Sequence, residues 1–360
     1  MNLANLKVIY VTTDSFSDHS YTIAKYLKTK IDIIVFILGR NESAEIKEFC
    51  SKLNAKFLTR PRYRNPFAFF FEFVFLYKLR KLKPDVVWFD SLSLIRSLFA
   101  GFFIKKFFVS IHDFELHPNE SDYQGIMSQR LTFLLHKRKI VTVSHTQAEI
   151  FRKRFQFMPL VFQLPVIDYY IDFAGNTENP PDTEMNIIRF FFFSTIEKYK
   201  GIEILLDAAE ILERKNVPFR LNIYGKLKYD EDLILAKTNS IKNVKIYNEF
   251  INYKKVHYIY RNNDMQVLPY KQVTQCGPLL IGYSEGIPSI CNDLPGFREY
   301  VVEGRSGEFF NGTASNLAEK MEFFINNKEK ITEMSEFIKS EIYNKFSMKS
   351  LVNKYIENFK

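Results

Sequence analysis

One stretch of the chain, residues 268–310, holds polar and glycine residues at the junction between a strand and a helix. The strand ends at Pro269-Tyr270, and the loop Thr274-Gln275-Cys276-Gly277 then opens a helix that closes at Gly286. Amide groups at a helix start lack partners within the helix and favour an anion, and Gly277 lets the backbone approach a ligand closely. The pattern predicts a site suited to a diphosphate, although a purely structural turn has the same pattern.

A second candidate group is the imidazole of His112. His112 and Asp113 follow the apolar run KKFFVSI (105–111), so we expect the imidazole at the carboxyl end of a buried strand, where open α/β sheets bind ligands. The alternative is a His-Asp pair that caps a helix. His19 lies at the start of the first predicted helix, in a segment, FSDHSYT, that is also typical of a plain cap.

Short, continuously apolar runs alternate with helical patterns, as expected for parallel strands covered by helices on both faces. The predicted strands are residues 7–13, 31–38, 84–90, 105–111, 139–144, 189–195, 219–225, 244–250, 265–270, 288–293 and 307–310.

Asn, Pro, Asp and Gly cluster in residues 166–186, which is typical of a linker. We therefore predict an α/β fold with two Rossmann-like, doubly wound domains, residues 1–165 and 187–340, which face each other across a cleft. The helical pattern at 341–360 predicts a C-terminal helix that packs back toward the N-terminal domain. Ligands of such sheets bind outside the carboxyl ends of the strands.

The 360-residue chain has a net charge of +9 that is unevenly divided. Residues 1–165 hold 25 basic and 14 acidic residues, a balance of +11, whereas residues 166–360 have a balance of −2. This asymmetry predicts an anionic partner for the first domain, either nucleic acid or a lipid surface.

Three cysteines without a CxxC pair exclude a disulfide scaffold. Without a signal-peptide pattern or a membrane-spanning run, we expect a cytoplasmic protein.

The segment RPRYRNPFAFFFEFVFLYKLRKLK (60–83) places basic residues on both sides of a dense aromatic run. Core helices also carry apolar faces, but this run has more Phe than one buried stripe holds, and basic flanks are typical of an interfacial membrane helix. We predict peripheral attachment to the anionic inner face of the cell membrane. No nucleic-acid partner is expected, because no recognised nucleic-acid module is present. The residues predicted to contact acceptor or membrane are His19, Arg62, Arg64, Arg80 and Lys81.

The segment 268–310 resembles the donor-site block of retaining glycosyltransferases of the GT-B fold, in the TQSG-type group of family 4. That block reads approximately TQSG, eight residues, G-x-P, and then GG-x-x-E-x-V-x-x-G-x-x-G. This chain has TQCG, then Gly286-Ile287-Pro288, and then Pro295-Gly296-Phe297-Arg298-Glu299 with Gly304 and Gly307. In addition, residues 191–212 resemble the start of the family's donor domain, and residues 109–120 its His-Asp segment.

The resemblance implies transfer of a sugar from a UDP- or GDP-sugar, with retention and with neither cofactor nor metal. The implied acceptor is a lipid-linked saccharide in cell-surface polysaccharide or lipopolysaccharide biosynthesis. It assigns Lys200 to the nucleotide diphosphate and His112 to the neighbourhood of the transferred sugar, and both to catalysis. The implied donor-binding residues are Thr195, Lys200, Thr274, Gln275, Cys276, Gly277 and Glu299.

Two departures from the family pattern leave alternatives open. Ser194-Thr195 stands where the family usually has Gly-Arg, so one phosphate-binding cation is missing. Ile281 stands at the second position of a glutamate pair that is absent here, as is common in the TQSG-type group. The first alternative is therefore a catalytically impaired homologue that acts as a binding protein. The second, a nucleotide-sugar epimerase of the same fold, is disfavoured because the carboxylates that it needs are not evident.

Overall fold

The computed structural model describes residues 6–62, 65–90, 92–112, 123–175 and 187–360. The chain divides into two compact units. Unit 1 comprises Met1–Pro165 and Met348–Lys360, and unit 2 comprises Val166–Ser347. Unit 2 thus includes residues 166–175, at the start of the predicted linker, where the side chains of Val166, Tyr169 and Phe173 are buried.

Unit 1 contains one parallel sheet within the described residues. Its strands are β1 (Lys7–Thr13), β2 (Asp32–Gly39), β3 (Lys56–Thr59), β4 (Val86–Phe89), β5 (Phe107–Ile111), β6 (Ile140–Thr142) and β7 (Leu160–Val161). Their order across the sheet is β3-β2-β1-β4-β5-β6-β7. Five strands follow apolar runs of the sequence, whereas β3 and β7, at the two edges, are short and partly exposed and have no such run.

Helices connect these strands and cover the sheet. They are α1 (Ser17–Leu27), α2 (Ala44–Leu53), α3 (Phe67–Lys81), α4 (Leu94–Phe103), α5 (Tyr123–His136) and α6 (His145–Phe155). The last helix of the chain, Met348–Phe359, packs against α1. Its Tyr355 hydroxyl donates a hydrogen bond of 2.7 Å to the Gln163 carbonyl. The rings of Tyr355 and Phe359 pack against Trp88 and Phe162, so the C-terminal helix belongs to the packed interior of unit 1.

Unit 2 repeats this architecture within the described residues. Its strands are β8 (Ile188–Phe193), β9 (Phe219–Tyr224), β10 (Val244–Tyr247), β11 (Met265–Leu268), β12 (Ser289–Asn292) and β13 (Gly307–Phe310). They form a parallel sheet of order β10-β9-β8-β11-β12-β13. The apolar residues of these strands are almost completely buried except in the edge strand β10, as expected for strands covered on both faces.

The helices of unit 2 lie between successive strands and at its C-terminal end. They are α7 (Tyr169–Asp172), α8 (Ile202–Arg214), α9 (Glu231–Ser240), α10 (Tyr253–Arg261), α11 (Gly277–Glu285), α12 (Pro295–Arg298), α13 (Ala314–Asn326), α14 (Lys328–Phe337) and α15 (Tyr343–Phe346). A π-helical turn, Ile338–Ile342, joins α14 to α15. Two parallel sheets with interleaved helices confirm the predicted α/β fold of two Rossmann-like domains.

Each sheet has a point at which the strand order reverses. In unit 1, β1 pairs with β2 on one side and with β4 on the other. In unit 2, β8 pairs with β9 on one side and with β11 on the other. Connections leave such a point in opposite directions and open a crevice at the carboxyl ends of the strands, where doubly wound sheets bind ligands. The loops after β1, β4, β8 and β11 are therefore the expected positions of ligand-binding sites.

Candidate functional site

The loops after β8 and β11 pack tightly against each other in unit 2. Lys200 ends a short 3-10 turn, and Gly201 follows it in the left-handed conformation with φ of 68°. A Cβ on Gly201 would lie 2.1 Å from the carbonyl oxygen of Pro269. The Lys271 amide also donates a hydrogen bond of 2.7 Å to the Tyr199 carbonyl. Glycine is therefore required at 201, and this backbone packing fixes Lys200 beside the end of β11.

The ammonium group of Lys200 is held by a hydroxyl and two aromatic rings. It donates a hydrogen bond to the Ser194 hydroxyl and lies 5.5 Å and 5.4 Å from the ring centres of Tyr199 and Tyr270. Burial lowers the pKa of Lys200, and the nearby Cys276 opposes that effect. Ser194 is one of the two departures from the family pattern, and here it positions the lysine.

The start of α11 offers fewer amide donors than its sequence predicts. Pro278 has no N–H, and the Leu279 amide donates to the sulfur of Cys276. An anion here would therefore meet the amides of Gln275, Cys276 and Gly277. Burial raises the pKa of the Cys276 thiol to about 11, so the thiol is neutral near pH 7 and is a poor nucleophile.

The glycines of this region serve two different purposes. A Cβ on Gly277 would lie 3.9 Å from Ile167, an ordinary contact, so packing within the unit does not require glycine there. A Cβ on Gly296 would lie 2.7 Å from the Val273 carbonyl oxygen, so the turn before Glu299 packs directly on the donor loop. Gly277 leaves room that a ligand can use, whereas Gly296 holds two loops together.

The remaining donor residues predicted from the sequence border the same loops. Thr195 is half-buried after β8, where Gly225 packs so closely that its Cβ would lie 1.8 Å from the Ser194 carbonyl oxygen. Thr274 and Gln275 are half-buried in the loop before α11, and Glu299 is half-buried at the end of α12. The fold therefore gathers these residues around the carboxyl ends of β8, β11 and β12.

Unit 2 also has a cavity of about 590 Å³ at a different place. It lies over β9 and β10, and its lining includes Arg189, Arg220, Lys242, Tyr224 and Tyr247. These residues are distinct from the loops after β8 and β11. Backbone packing, rather than cavity volume, therefore identifies the candidate donor site.

In unit 1, the carboxyl ends of β1, β4 and β5 bring His19, Asp90 and His112 together. The Nε2 atoms of His19 and His112 each lie 3.8 Å from a carboxylate oxygen of Asp90. The His112 ring stacks on Phe16, with ring centres 4.3 Å apart. His112 thus stands at a strand end, and its neighbours in the described residues include a second imidazole and a carboxylate.

Asp90 is the anion at the centre of this cluster. The Tyr10 hydroxyl donates to its Oδ2 atom at 2.5 Å. Burial alone would raise the pKa of Asp90, but the neighbouring imidazoles of His112 and His19 and the Tyr10 hydroxyl hold it down at about 2. Burial disfavours a charged His19, yet Asp18 and Asp90 raise the pKa of this imidazole above its ordinary value. Asp90 is therefore a buried carboxylate that stays ionised.

Asp90 is absent from the residues predicted from the sequence. The sequence does indicate Asp90 by its position: it ends the apolar run PDVVWFD, just as His112 follows the apolar run KKFFVSI. Both residues are thus expected at the carboxyl ends of strands. The pairing of β4 with β5, which turns these two strand ends into neighbours, is a property of the fold.

The predicted surface contacts in unit 1 fall into three groups. His19 is only 7% exposed, so it belongs to the buried cluster and is not a surface residue that reaches a membrane. Arg62, Arg80 and Lys81 are exposed. Arg64, like Asp113, lies outside the described residues.

Part of the chain matches a known sequence family, and almost the whole chain is similar to solved structures. A family model described as glycosyl transferases group 1 matches residues 178–341. A glycosyltransferase from Rickettsia africae ESF-5 superposes with a TM-score of 0.75 at 18% identity, over 99% of this chain and 98% of that one. The Anabaena protein Alr3699/HepE, solved in complex with UDP, superposes with a TM-score of 0.71 at 14% identity, over 98% and 99% of the two chains.

The same fold also occurs with another chemistry. A putative UDP-N-acetylglucosamine 2-epimerase from Listeria monocytogenes superposes with a TM-score of 0.66 at 14% identity, over 98% of this chain and 95% of that one. The fold alone therefore does not distinguish a glycosyltransferase from an epimerase. The family match within residues 178–341 favours a glycosyltransferase. The chain has the two-domain architecture of GT-B glycosyltransferases, and its residues 178–341 match the family of glycosyl transferases group 1.

Proposed function

We propose that this protein is a retaining glycosyltransferase that moves a sugar from a UDP- or GDP-sugar to a lipid-linked saccharide. The product would enter cell-surface polysaccharide or lipopolysaccharide. The observation that carries the proposal is the position of Lys200 beside the loop before α11, at the point where the strand order of unit 2 reverses. The family match over residues 178–341 and the UDP complex of a structurally similar protein support a nucleotide-sugar donor.

The chemistry requires stabilisation of the charge that develops on the leaving diphosphate. Lys200 and the amides of Gln275, Cys276 and Gly277 supply a cation and dipoles that are already in place before the reaction. With these groups, the diphosphate needs no metal ion. The resemblance of the sequence assigns Thr195, Thr274 and Glu299 to the donor contacts and His112 to the transferred sugar.

A transfer assay tests this proposal and separates it from its rivals. The full chain is incubated with labelled UDP- and GDP-sugars and a lipid extract, with and without EDTA, and the product linkage is determined by NMR. A glycolipid with retained configuration, formed equally well in EDTA, is the expected result. Release of an epimerised nucleotide sugar would instead indicate an epimerase, and nucleotide binding without turnover a binding protein. Activity lost in EDTA and restored by Mg²⁺ would contradict the metal-free site.

The proposed lipid acceptor is supported by the unusual polarity of α3. The side of this helix that faces the core carries Glu72, which forms an ion pair of 2.8 Å with Arg96, both side chains being 1% exposed. The Ser93 hydroxyl donates to the same carboxylate at 2.9 Å. Meanwhile Phe67 and Phe70 are 70% and 68% exposed. A helix that buries its one acidic side chain and exposes its aromatic rings favours an apolar environment on its outer side.

Exposed apolar residues continue from α3 onto its neighbours. Helix α3 packs against α4, and α4 packs against α5. We define the aromatic surface as Phe67, Phe69, Phe70, Val74 and Tyr77 of α3, Leu98 and Phe102 of α4, and Leu134 and Leu135 of α5. None of the described helices is long and apolar enough to span a bilayer.

Basic residues accompany the aromatic surface. Arg80 and Lys81 are exposed at the end of α3, and Lys137, Arg138 and Lys139 follow α5. Each Lys or Arg close to an anionic bilayer contributes about 1 kcal/mol, and inserted aromatic rings add to this binding. We infer that the aromatic surface docks on the anionic inner face of the cell membrane, where a lipid-linked acceptor presents its sugar.

Vesicle sedimentation tests the docking. Binding of the full chain should rise with the fraction of anionic lipid, fall with salt, and weaken when Arg60, Arg62, Arg64, Arg80 and Lys81 are neutralised. The variant Phe70→Ser should weaken binding as well. Phe250→Ser is the matched control, because Phe250 is 73% exposed but belongs to unit 2. Equal binding to neutral vesicles, or equal losses in the two Phe variants, would contradict docking through this surface.

A further inference from the structure

We propose that His19, Asp90 and His112 form a binding site for one divalent transition-metal ion such as Zn²⁺. Within the described residues, one ligand atom from each of these side chains lies within 4.8 Å of the other two. Two imidazole nitrogens and one carboxylate oxygen are a donor set that zinc and related ions prefer over magnesium or calcium. Three protein ligands leave one coordination position for water or another ligand.

The distances require little movement to close around an ion. The Nε2 atom of His19 lies 3.8 Å from Oδ2 of Asp90, and the Nε2 atom of His112 lies 3.8 Å from Oδ1. Two ligand atoms on a tetrahedral zinc ion are about 3.3 Å apart, given metal–ligand bonds of about 2.0–2.1 Å. The His19 and His112 ring centres are 5.3 Å apart. The ligand atoms, now within 4.8 Å of one another, must therefore approach by at most about 1.5 Å to reach zinc geometry.

His19 carries the independent observation in favour of a ligand. Its Nε2 atom is buried and makes no hydrogen bond with the described residues. Its Nδ1 atom lies 3.5 Å from the carboxylate of Asp18. An imidazole that turns one nitrogen to a carboxylate, and whose other nitrogen is buried without a hydrogen bond, has the arrangement of a metal-ligating histidine.

The surroundings of Asp90 also suit this role. The Tyr10 and Ser20 hydroxyls donate to its Oδ2 atom at 2.5 Å and 3.1 Å, and Ser20 contacts Thr12 at 2.6 Å. These bonds fix the carboxylate and leave its Oδ1 atom on the His112 side. Ligating carboxylates are typically held in this way by groups around the site.

The metal site has a consequence for the reaction that rests on the proposed function. If His112 lies near the transferred sugar, a metal ion bound to His112 prevents this imidazole from contacting the sugar. We therefore expect Zn²⁺ to inhibit transfer and EDTA to restore it. The residues assigned to the diphosphate, Lys200 and Gln275 to Gly277, belong to unit 2, whereas the three proposed metal ligands belong to unit 1.

Calorimetric titration of the EDTA-treated full chain with Zn²⁺ tests the site directly. We expect one ion per chain, and affinity that falls at least about tenfold in His19→Gln, His112→Gln and Asp90→Asn. His145→Gln is the matched control, because His145 is an exposed histidine of unit 1; this variant should bind zinc as the wild type does. Mg²⁺ should not compete.

The outcomes separate the metal site from the proposed function. Wild-type protein that binds no zinc, or binding that all three variants retain, would overturn the site. Asp90→Asn also removes an acceptor of buried hydrogen bonds, so the two histidine variants decide the matter if this variant does not fold. A protein that binds zinc through these residues but transfers no sugar from any donor would refute the proposed function and leave the metal site standing.

Discussion

The two candidate sites lie at equivalent places in their sheets but are built by different means. In unit 2, glycines at 201, 225 and 296 bring loop backbones into direct contact, and Lys200 is held at the junction. In unit 1, side chains do this work, because the buried Asp90 accepts hydrogen bonds from Tyr10 and Ser20. The first site is therefore sensitive to added backbone bulk, and the second to loss of a buried side chain.

Because of this difference, Lys200 can contribute to function without supporting the fold, whereas Asp90 contributes to both. Lys200 is half-buried, and the loops around it are fixed by contacts that do not involve its ammonium group. It can therefore be removed without unfolding the unit. Asp90 is fully buried and satisfies other buried groups, so its removal affects the fold as well as the site.

The substitution Lys200→Ala should have the largest effect on catalysis. Removal of one preorganised donor to developing charge costs about 10²–10³ in turnover, and the family's usual second cation is already missing here. Steady-state kinetics measure the loss, and thermal unfolding should show an unchanged melting temperature. Turnover equal to that of the wild type would remove Lys200 from the site.

The substitution Asp90→Ala should destabilise unit 1 more than Lys200→Ala destabilises unit 2. It removes the carboxylate that accepts hydrogen bonds from the buried Tyr10 and Ser20 hydroxyls, and loss of a buried hydrogen-bond acceptor costs about 1–3 kcal/mol. Urea unfolding measures the change, with Lys200→Ala as the comparison. A destabilisation no greater than that of Lys200→Ala would mean that the two sites do not differ in the way described above.

Two glycine substitutions in unit 2 sharpen the comparison within one site. Gly201→Ala should destabilise the unit by about 1–3 kcal/mol from backbone strain alone, and its Cβ meets a carbonyl oxygen at 2.1 Å. Gly277→Ala should leave the melting temperature unchanged, because its Cβ makes only an ordinary contact, but it should weaken nucleotide binding. If both variants lose stability equally, Gly277 is a packing glycine and not a ligand contact.

The pH dependence of donor binding should reveal the environment of Lys200. Burial lowers its pKa, so the ammonium group loses its proton at a lower pH than an exposed lysine does. Donor affinity should therefore fall as pH rises through that region. Lys200→Arg keeps its charge throughout, so the alkaline decline should move to higher pH. An unchanged alkaline profile would mean that another group controls it.

The fold and the donor loop could be predicted because their signals are local in the sequence. Apolar strands of unit 2 such as RFFFFST (189–195) are unmistakable, and Thr274 to Gly277 are consecutive residues. The edge strands β3 and β7 escaped prediction because partly exposed strands of four and two residues carry no apolar run.

The cluster in unit 1 escaped prediction because its members come from distant parts of the chain. His19 and His112 can be identified as candidates in the sequence. Asp90 becomes a candidate only because β4 pairs with β1 and β5, which brings its carboxylate between the two imidazoles. Likewise, Ser194-Thr195 indicated in the sequence only a missing phosphate-binding cation, because Thr195 stands in place of the family's Arg. The hydrogen bond that Lys200 donates to Ser194 depends on a turn that the sequence does not specify.

We expect unit 2 to bind a nucleotide diphosphate at Lys200 and the loop before α11. Thermal unfolding of wild type and Lys200→Ala, with and without UDP, GDP and their sugars, tests it most directly. A ligand at 100 times its dissociation constant adds about 2.7 kcal/mol of stability. We predict that one nucleotide raises the melting temperature of the wild type and that Lys200→Ala loses most of this shift. No shift with any nucleotide, or an equal shift in both proteins, would contradict the claim.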